Sequence, residues 1–599
     1  MKLHKITLAT LLGLATMTSC DDKLDLTNPN QQTTSTYGNS VADLEECVIA
    51  AYNHTRMEGS YARVGYTIDV CRGDEVWNSS QVWYLPFDDL NVSPLDEICS
   101  WSWREWYYTI NVCNFIISRT GGNDKATDES LASEQLKRIK GQALFLRGLS
   151  YYNLAGYYQN PPLYTDYSDY GTLEGLFGAN SSYDEAWDLV ESDFERALAL
   201  LPTKAENGEW TKGRANKGAA AGFLARAYMM RQKYSEALPL LTGIMNQDDG
   251  GQQLYGIYKL TGNYGDNFRE GAAYENNDES IFEIQLLDKD QQGTDDEWTP
   301  VNTSPNATQG AAIESNYAPG DIGGWADLSA SPWLYNLFKA EKTIDGKLDP
   351  RLYWTIGTYE NDWEGFEFGN VCYTQKMDPS VPMVTNNNNG GLPIAKWTHF
   401  RTGEYDKVVT GLRSGINLRL MRFSDVLLRA AECENEINGP GNGKAIAWIN
   451  KVRTRAKLPE LKKEAFGNDK EKLFEQIANV ERPKEFGCEF GRGFDLLRWG
   501  WFYSKDRLNQ LKEHGAVKFW TKAGYEDGVL NYTPKDPVSY DDCSKSAYDN
   551  FVPGHEFLPI YQGNLNANPN LKGNSANDGT DNAPYFTGKN WTIHPVVKL

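Results

Sequence analysis

The sequence has few of the residues and motifs on which metal centres and hydrolytic enzymes depend. Its 599 residues include 6 histidines, which are scattered and form no His-Glu-x-x-His zinc motif. The 9 cysteines contain no Cys-x-x-Cys pair, which excludes the usual zinc and thioredoxin motifs. A Gly-x-Ser-x-Gly nucleophile motif is also absent. We therefore predict no catalytic residue, no metal ligand and no cofactor.

Positive charge is also scarce. The chain has 59 lysines and arginines against 81 aspartates and glutamates, which gives a formal net charge of -22. A nucleic-acid-binding surface needs a basic face, and a polybasic hold on anionic lipid needs clustered lysines and arginines. The charge balance argues against both. Because the acidic residues are spread along the chain, solubility is their simplest interpretation.

One glycine-rich stretch imitates a phosphate-binding loop. Gly439-Pro-Gly-Asn-Gly-Lys444 has the glycines and the lysine, but Ala445 stands where the motif needs a serine or threonine. No strand pattern precedes this stretch. We therefore predict a turn between two helices at this position.

Long apolar runs are confined to the start of the chain, and the mean hydropathy is -0.58. Two lysines precede the apolar run Ile6–Thr18, which is too short to span a bilayer. We predict a signal peptide over residues 1–19. Met17-Thr-Ser-Cys20 resembles a bacterial lipobox, so Cys20 is the predicted lipid attachment site. A cleaved signal followed by an incidental cysteine is the alternative.

Aromatic residues are abundant, with 18 Trp, 34 Tyr and 23 Phe. Apolar residues recur at helical spacing in separate blocks. The predicted helices are 41–57, 102–117, 134–158, 182–201, 216–231, 234–245, 420–437, 444–456 and 470–485. The small and large residues of 216–231 and 234–245 alternate as in a tetratricopeptide hairpin. Helical patterns are scarce from 250 to 418, where many of the aromatic residues lie.

These patterns predict a mainly all-α fold, with a tetratricopeptide-like hairpin scaffold that carries a large irregular, loop-rich ligand-binding region. A flexible lead follows Cys20, and one domain then occupies residues 41–599. The predicted parts are the lead 20–40, the helical scaffold 41–248 and 419–510, the irregular insertion 250–418 and the irregular C-terminal segment 511–599.

Four sequence blocks together resemble the SusD/RagB family of outer-membrane lipoproteins from Bacteroidetes. The blocks are Gln142–Leu154, Arg422–Glu436 with Ile449–Ala456, Glu481–Phe486 with Gly493–Gly500, and Phe557–Gln562 with Asn568–Leu571. They occur in the family's order and cover essentially the whole mature chain. The departures are Tyr561, where the family often has proline, and Pro483, where it often has arginine.

The resemblance implies an all-helical protein that binds glycans at the cell surface without catalysing a reaction. It also implies a lipid anchor in the outer membrane and a SusC-like, TonB-dependent transporter as partner. Asp21 and Asp22, directly after Cys20, resemble the signal that sends such lipoproteins to the outer face.

Two of the matched sets have predicted structural roles. The first set can form ion pairs along one helix face, because its members are spaced by three or four residues. It comprises Arg422, Asp425, Arg429 and Glu432. The second set is a predicted buried brace of Arg492, Asp495, Arg498 and Trp499.

Sugars present apolar C–H faces that stack on aromatic rings and hydroxyl groups that bind polar side chains. The segment from Arg72 to Tyr84 interleaves such residues in a loop-like stretch. Its candidate ligand-binding residues are Asp74, Trp77, Asn78, Trp83 and Tyr84. In the family it resembles, this segment supplies binding aromatics. Packing against the scaffold is the alternative for each residue.

A second candidate set lies in the irregular insertion and comprises Trp298, Tyr317 and Trp325. Trp298 and Trp325 are flanked by Asp, Glu and Gly, which favours an exposed position. Trp333 precedes apolar residues and is predicted to be core. Trp103, Trp106 and Tyr107 recur at helical spacing and are also predicted to be core.

We therefore predict a glycan-binding surface lipoprotein. Two alternatives stay open on the sequence. A glycoside hydrolase with a tryptophan-lined carboxylate pair has the same aromatic signature, because acidic residues are abundant and their spatial separation is not encoded locally. A tetratricopeptide scaffold that binds proteins is the other.

Overall fold

The computed structural model describes residues 37–78, 81–204, 212–287, 309–318, 324–325, 327–357, 392–402, 413–516, 524–526, 529–531, 547–549, 551–578 and 591–599. The predicted signal peptide and Cys20 lie outside these ranges. No helix within them is both long and apolar enough to cross a bilayer.

Helices dominate the architecture, as predicted. Helices α1 to α10 are Val41–His54, Val64–Arg72, Leu85–Asp88, Cys99–Arg119, Ala126–Glu129, Glu134–Tyr158, Leu173–Leu176, Tyr183–Leu200, Lys217–Met230 and Tyr234–Ile244. Helices α11 to α22 are Ile313–Tyr317, Pro332–Lys339, Pro350–Thr355, Phe423–Asn438, Lys444–Arg455, Lys463–Phe466, Lys470–Gln476, Arg482–Phe486, Arg492–Arg498, Lys505–Gly515, Gln562–Ala567 and Ser575–Asp578.

The long helices pack as consecutive pairs: α1 with α4, α6 with α8, α9 with α10, and α14 with α15. Contacts of α4 with α6, α8 with α9 and α10 with α14 join these pairs into one row. The predicted hairpin scaffold is therefore confirmed. The turn predicted at residues 439–444 is a short 3-10 segment, Pro440–Asn442, between α14 and α15.

Helix starts follow the capping signals in the sequence. Ser182 precedes α8, and its hydroxyl accepts a hydrogen bond from the Glu185 amide while the Glu185 carboxylate accepts one from the Ser182 amide. Ser40 and Asp43 form the same reciprocal pair at α1. These pairs satisfy amide groups that a helix start leaves without intrahelical partners.

Helix α6 is the centre of the scaffold, because every residue from Ile139 to Tyr158 is buried. A helix that is covered on all sides needs small residues where neighbours approach closely. A Cβ atom on Gly156 would lie 2.0 Å from the ring of Phe494 in α19. Inside the same helix, Arg147 pairs with Asp193 of α8 at 2.7 Å.

The strands are short and tie the irregular region to the scaffold. Strands β1 to β7 are Val76–Asn78, Ser280–Ile284, Leu328–Ala330, Leu392–Pro393, Leu418–Arg422, Gly524–Glu526 and Val529–Asn531. They form the sheets β1-β3-β4, β2-β5 and β6-β7. The helix predicted from residue 420 starts at Phe423 instead, because residues 418–422 pair with β2.

The ion pairs predicted along one face of α14 mostly reach across to other elements. Only Arg429 and Asp425 pair within the helix, at 2.8 Å. Asp425 also binds Arg226 of α9 and Arg482 of α18. The prediction is therefore confirmed for the pair Arg429–Asp425, whereas the other partners come from distant parts of the chain.

Arg422 is the most heavily connected of these groups. Its guanidinium contacts Glu279 at 2.6 Å, Glu485 at 2.9 Å and Glu489 at 2.7 Å. All four side chains are buried. The carboxylates raise the pKa of Arg422 even though burial opposes its charge. Glu485 also binds Arg351 at 3.2 Å.

The predicted polar and aromatic brace is confirmed as buried. Arg498 donates to Glu432 at 2.8 Å, and the indole of Trp499 donates to the same carboxylate at 2.9 Å. Arg498 also pairs with Asp495 at 2.8 Å. These contacts hold α19 against α14.

The described cysteines are buried free thiols: Cys47, Cys71, Cys99, Cys113, Cys433 and Cys488. Burial raises the pKa of the thiols of Cys47, Cys99, Cys113, Cys433 and Cys488.

We expect Arg498→Ala to lower the free energy of unfolding by about 3–5 kcal/mol, because it leaves Glu432 as a buried charge without its partner. Lys125→Ala is the control, since it breaks an exposed pair with Glu195, which contributes about 0–1 kcal/mol. Urea unfolding of both variants measures the difference. Equal losses would contradict the assigned role of Arg498.

Candidate functional site

A short β-ladder brings the two predicted ligand-binding segments together. In β1 and β3, Trp77 pairs with Ser329 and Asn78 pairs with Leu328. Because the strands are antiparallel, the segment that follows β1 and the segment that precedes β3 lie at the same end of the ladder. The loop around Trp83 and the loop around Trp325 therefore adjoin, although they are far apart in sequence.

Arg63 joins these loops through two aromatic rings. Its guanidinium carbon lies 5.5 Å from the centre of the Tyr84 ring and 5.2 Å from that of the Trp325 ring. Its Nε also donates to the Tyr84 hydroxyl. The backbone amide of Trp325 donates to the Ser315 carbonyl at 2.7 Å, which holds the main chain at Trp325 in place. Such cation–π contacts stabilise a desolvated guanidinium.

The surroundings of Arg63 and Tyr84 favour a charged guanidinium next to a neutral phenol. Burial alone lowers the pKa of an arginine, but Tyr84 and Glu58 outweigh it and raise the pKa of Arg63. Burial raises the pKa of Tyr84 above its ordinary value, although Arg63 opposes the shift. Tyr84 therefore keeps its proton and can serve Arg63 as a hydrogen-bond acceptor.

Apolar side chains that flank Tyr84 in the sequence are exposed. Val82 is 70% exposed, Trp83 is 50% exposed and Leu85 is 44% exposed. Trp325 is partly exposed. We call the surface of Val82, Trp83, Leu85 and Trp325 the tryptophan rim. An exposed indole beside polar backbone is able to stack on the apolar face of a sugar ring.

The structure corrects the placement of three residues in the first predicted set. Trp77 is only 6% exposed because it lies in β1 between the scaffold and β3. Asn78 is buried and donates to the carbonyl of Gln81 at 2.8 Å, which shapes the loop. Tyr84 is fully buried, and its hydroxyl accepts from Arg63. These side chains support the rim and present no free face to a ligand.

Asp74 is also buried, in an ion pair with Arg492 at 2.7 Å. His514 contacts the same carboxylate at 2.8 Å. Burial alone raises the pKa of an aspartate, but Arg492 and His514 outweigh it and hold the pKa of Asp74 below its ordinary value. The carboxylate thus clamps β1 to α19 and has no hydrogen-bonding capacity left facing solvent.

In the second predicted set, Tyr317 is fully buried and its hydroxyl donates to the Cys488 carbonyl at 3.0 Å. Trp325 is placed at the rim. Trp298 lies outside the described residues. Trp333, predicted to be core, is partly exposed and stacks on His514 with ring centres 4.0 Å apart. Trp103 and Trp106 are buried, as predicted.

Sequence reasoning did not identify Arg63 or Asn316. Asn316 donates to the Tyr84 hydroxyl at 3.4 Å from helix α11. No local pattern around Arg63 marks it, because its importance comes from rings that the β1–β3 ladder brings next to it. Among the described residues, no cluster of His, Cys, Asp or Glu suits a metal ion.

Helix α11, which carries Asn316 and Tyr317, is itself held by a buried histidine. His399 contacts Glu314 through Nδ1 at 2.8 Å and Glu270 through Nε2 at 2.8 Å. Burial alone lowers the pKa of a histidine, but the carboxylates of Glu314 and Glu270 outweigh it and raise the pKa of His399 to about 10.

Comparison with known proteins identifies the family. The model of the SusD family matches residues 278–577. The chain belongs to the SusD family. A second model, described as starch-binding associating with outer membrane, matches residues 22–229. The resemblance stated from the sequence is therefore confirmed, over both the scaffold and the irregular region.

Relatives match along most of their length. SusD-like protein P25 from Formosa agariphila is 25% identical over 540 residues, which cover 84% of this chain and 90% of the relative. A SusD-like protein from Bacteroides ovatus is 20% identical over 501 residues, which cover 82% of each chain.

Solved structures show the same fold. A SusD superfamily protein from Bacteroides vulgatus matches with a TM-score of 0.66 at 22% identity, covering 90% of this chain and 100% of that one. The surface glycan-binding protein A from Bacteroides thetaiotaomicron, in complex with laminarihexaose, matches with a TM-score of 0.62 at 20% identity. That match covers 89% of this chain and 99% of that one.

We expect His399 to make stability depend on pH. Its folded-state pKa of about 10 lies above the ordinary value of about 6.5. The stabilisation is therefore complete below about pH 6.5 and is lost as pH rises through about 10. The difference in unfolding free energy between the native chain and His399→Gln should shrink over that window. A difference that stays constant in urea titrations would contradict the assignment.

Proposed function

We propose that this protein is a cell-surface glycan-binding lipoprotein. It captures an oligosaccharide or polysaccharide and delivers it to a SusC-like, TonB-dependent outer-membrane transporter. The observation that carries the proposal is the tryptophan rim, in a chain that belongs to the SusD family. An exposed indole on a fixed support is the group that sugar recognition needs.

The support under the rim favours binding. Trp83 is exposed, while its neighbour Tyr84 is locked by Arg63 and Asn316. Because Tyr84 and its partners are already fixed in place, a ligand that stacks on Trp83 loses less binding free energy to ordering of the site. One of the similar structures is named as a laminarin-binding SusD-like protein, and another is a surface glycan-binding protein in complex with laminarihexaose. This agrees with a binding role without catalysis.

We expect Trp83→Ala and Trp325→Ala to weaken glycan binding about tenfold, since an aromatic contact contributes on the order of 1 kcal/mol. Trp83→Ala should leave the melting temperature nearly unchanged, whereas Trp325→Ala should lower it modestly because it also removes a ring beside the buried Arg63. Trp77→Ala should behave oppositely and cost about 3–5 kcal/mol of stability, because Trp77 is buried. Isothermal titration calorimetry with laminarihexaose and other glycan oligomers, together with thermal melts, separates these effects.

Val82→Ala is the matched control, because Val82 is exposed beside Trp83 but has no ring. Unchanged affinity in both tryptophan variants would place the binding site elsewhere. When the protein and each glycan are incubated together for hours, no new reducing ends should be released. Release that one Asp or Glu substitution abolishes would favour the glycoside hydrolase alternative.

The lipid anchor has its own test. We expect Cys20→Ala to move the protein from the membrane fraction to the soluble fraction without altering its melting temperature, because only the anchor is removed. Ser19→Ala keeps both a small residue and the cysteine, and it should remain with the membrane. Retention of Cys20→Ala in the membrane fraction would contradict the lipobox assignment.

A further inference from the structure

A second aromatic surface lies away from the tryptophan rim. It is a cleft with a volume of about 430 Å³ between helix α4, residues 162–177 and residues 564–571. This volume is within the range of about 300–1,000 Å³ that is typical of small-molecule sites. The described lining of the cleft shares no residue with the rim or with Arg63.

The floor of the cleft is built from aromatic rings that are fixed in place. Trp103 and Tyr107 are one turn apart on α4, and their ring centres are 5.0 Å apart. The ring of Tyr164 packs edge-on against Tyr107, with ring centres 5.6 Å apart. The Tyr107 hydroxyl donates to the Pro162 carbonyl at 2.8 Å, and that of Tyr164 donates to the Leu176 carbonyl at 2.8 Å. With these hydroxyls engaged by the backbone, the cleft presents ring surface.

The edge of the cleft is polar and almost uncharged. Three amide side chains contribute to it: Asn111, Asn564 and Asn568. The Nδ2 of Asn564 is buried and has no hydrogen-bond partner within the described part of the chain. Among the described lining residues, Arg104 alone is charged, and it lies 3.5 Å from Glu97. Tyr108, on the same helix, is 48% exposed at this edge.

We propose that this cleft is a second carbohydrate site, which takes a neutral oligosaccharide. Ring surfaces with amide groups beside them match the apolar faces and hydroxyl groups of a sugar. A groove for an apolar peptide helix is lined instead by adaptable aliphatic side chains such as methionine. The one charged group in the described lining, Arg104, already lies beside the carboxylate of Glu97, which disfavours sulfated or uronic sugars. This inference rests on the proposed glycan-binding function.

The test uses the chain that starts after Cys20, with laminarihexaose, cellohexaose and xylohexaose as neutral probes. Tyr108→Ala and Phe177→Ala each remove a ring from the cleft, and Tyr108→Phe keeps the ring. Leu173→Ala is the matched control, since Leu173 is exposed in the same segment but does not line the cleft. Titration calorimetry and thermal melts are measured for each variant.

For a probe that the unmodified chain binds, we expect about tenfold weaker affinity at the cleft in Tyr108→Ala and Phe177→Ala, and native affinity in Tyr108→Phe and Leu173→Ala. Binding at the cleft should persist in Trp83→Ala. If all cleft variants bind as the native chain does while Trp83→Ala loses binding, the cleft is not a sugar site and the proposed function stands. If no probe binds to the unmodified chain, both the neutral-sugar cleft and the proposed function fail for these ligands.

Discussion

Buried arginine–carboxylate pairs connect parts of this chain that are far apart in sequence. The guanidinium of Arg422 contacts Glu279 from the irregular region, Glu485 of α18 and Glu489 between α18 and α19. Charges removed from water are tolerated only when their partners are placed accurately. Each of these pairs therefore specifies which segments meet, and a misplaced segment leaves a buried charge unpaired. Apolar packing alone would specify this arrangement less strictly, because it is not directional.

The same kind of contact positions the candidate site. Arg492 of α19 pairs with Asp74 next to β1, and β1 in turn aligns β3 through its hydrogen bonds. His399 and its two carboxylates hold α11, which supplies Asn316 beneath Tyr84. The rim is thus the exposed end of a series of buried polar contacts. Substitutions of the buried residues should act on stability first, whereas substitutions of the exposed rim residues should act on binding.

The helical scaffold was readable from local sequence, whereas the site was readable only in part. Helix α6 runs from Glu134 to Tyr158 as predicted, because helical spacing and the stop at Asn160-Pro161-Pro162 are local signals. The ladder between β1 and β3 has no such signal, since each strand is short and its partner is distant in sequence. Trp77 and Trp83 looked equivalent in the sequence. The first lies in the ladder and is buried, whereas the second lies outside it and is exposed.

The buried thiols have a consequence for biogenesis. A protein exported from the cytoplasm commonly gains stability from disulfides formed by oxidants. The cysteines of the described scaffold are free and buried instead, and a protonated, buried thiol is a poor nucleophile. Folding of this part of the chain therefore does not depend on an oxidising enzyme or on the presence of oxygen. The scaffold can reach the same state in a strictly anaerobic habitat and in the reducing cytosol of an expression host.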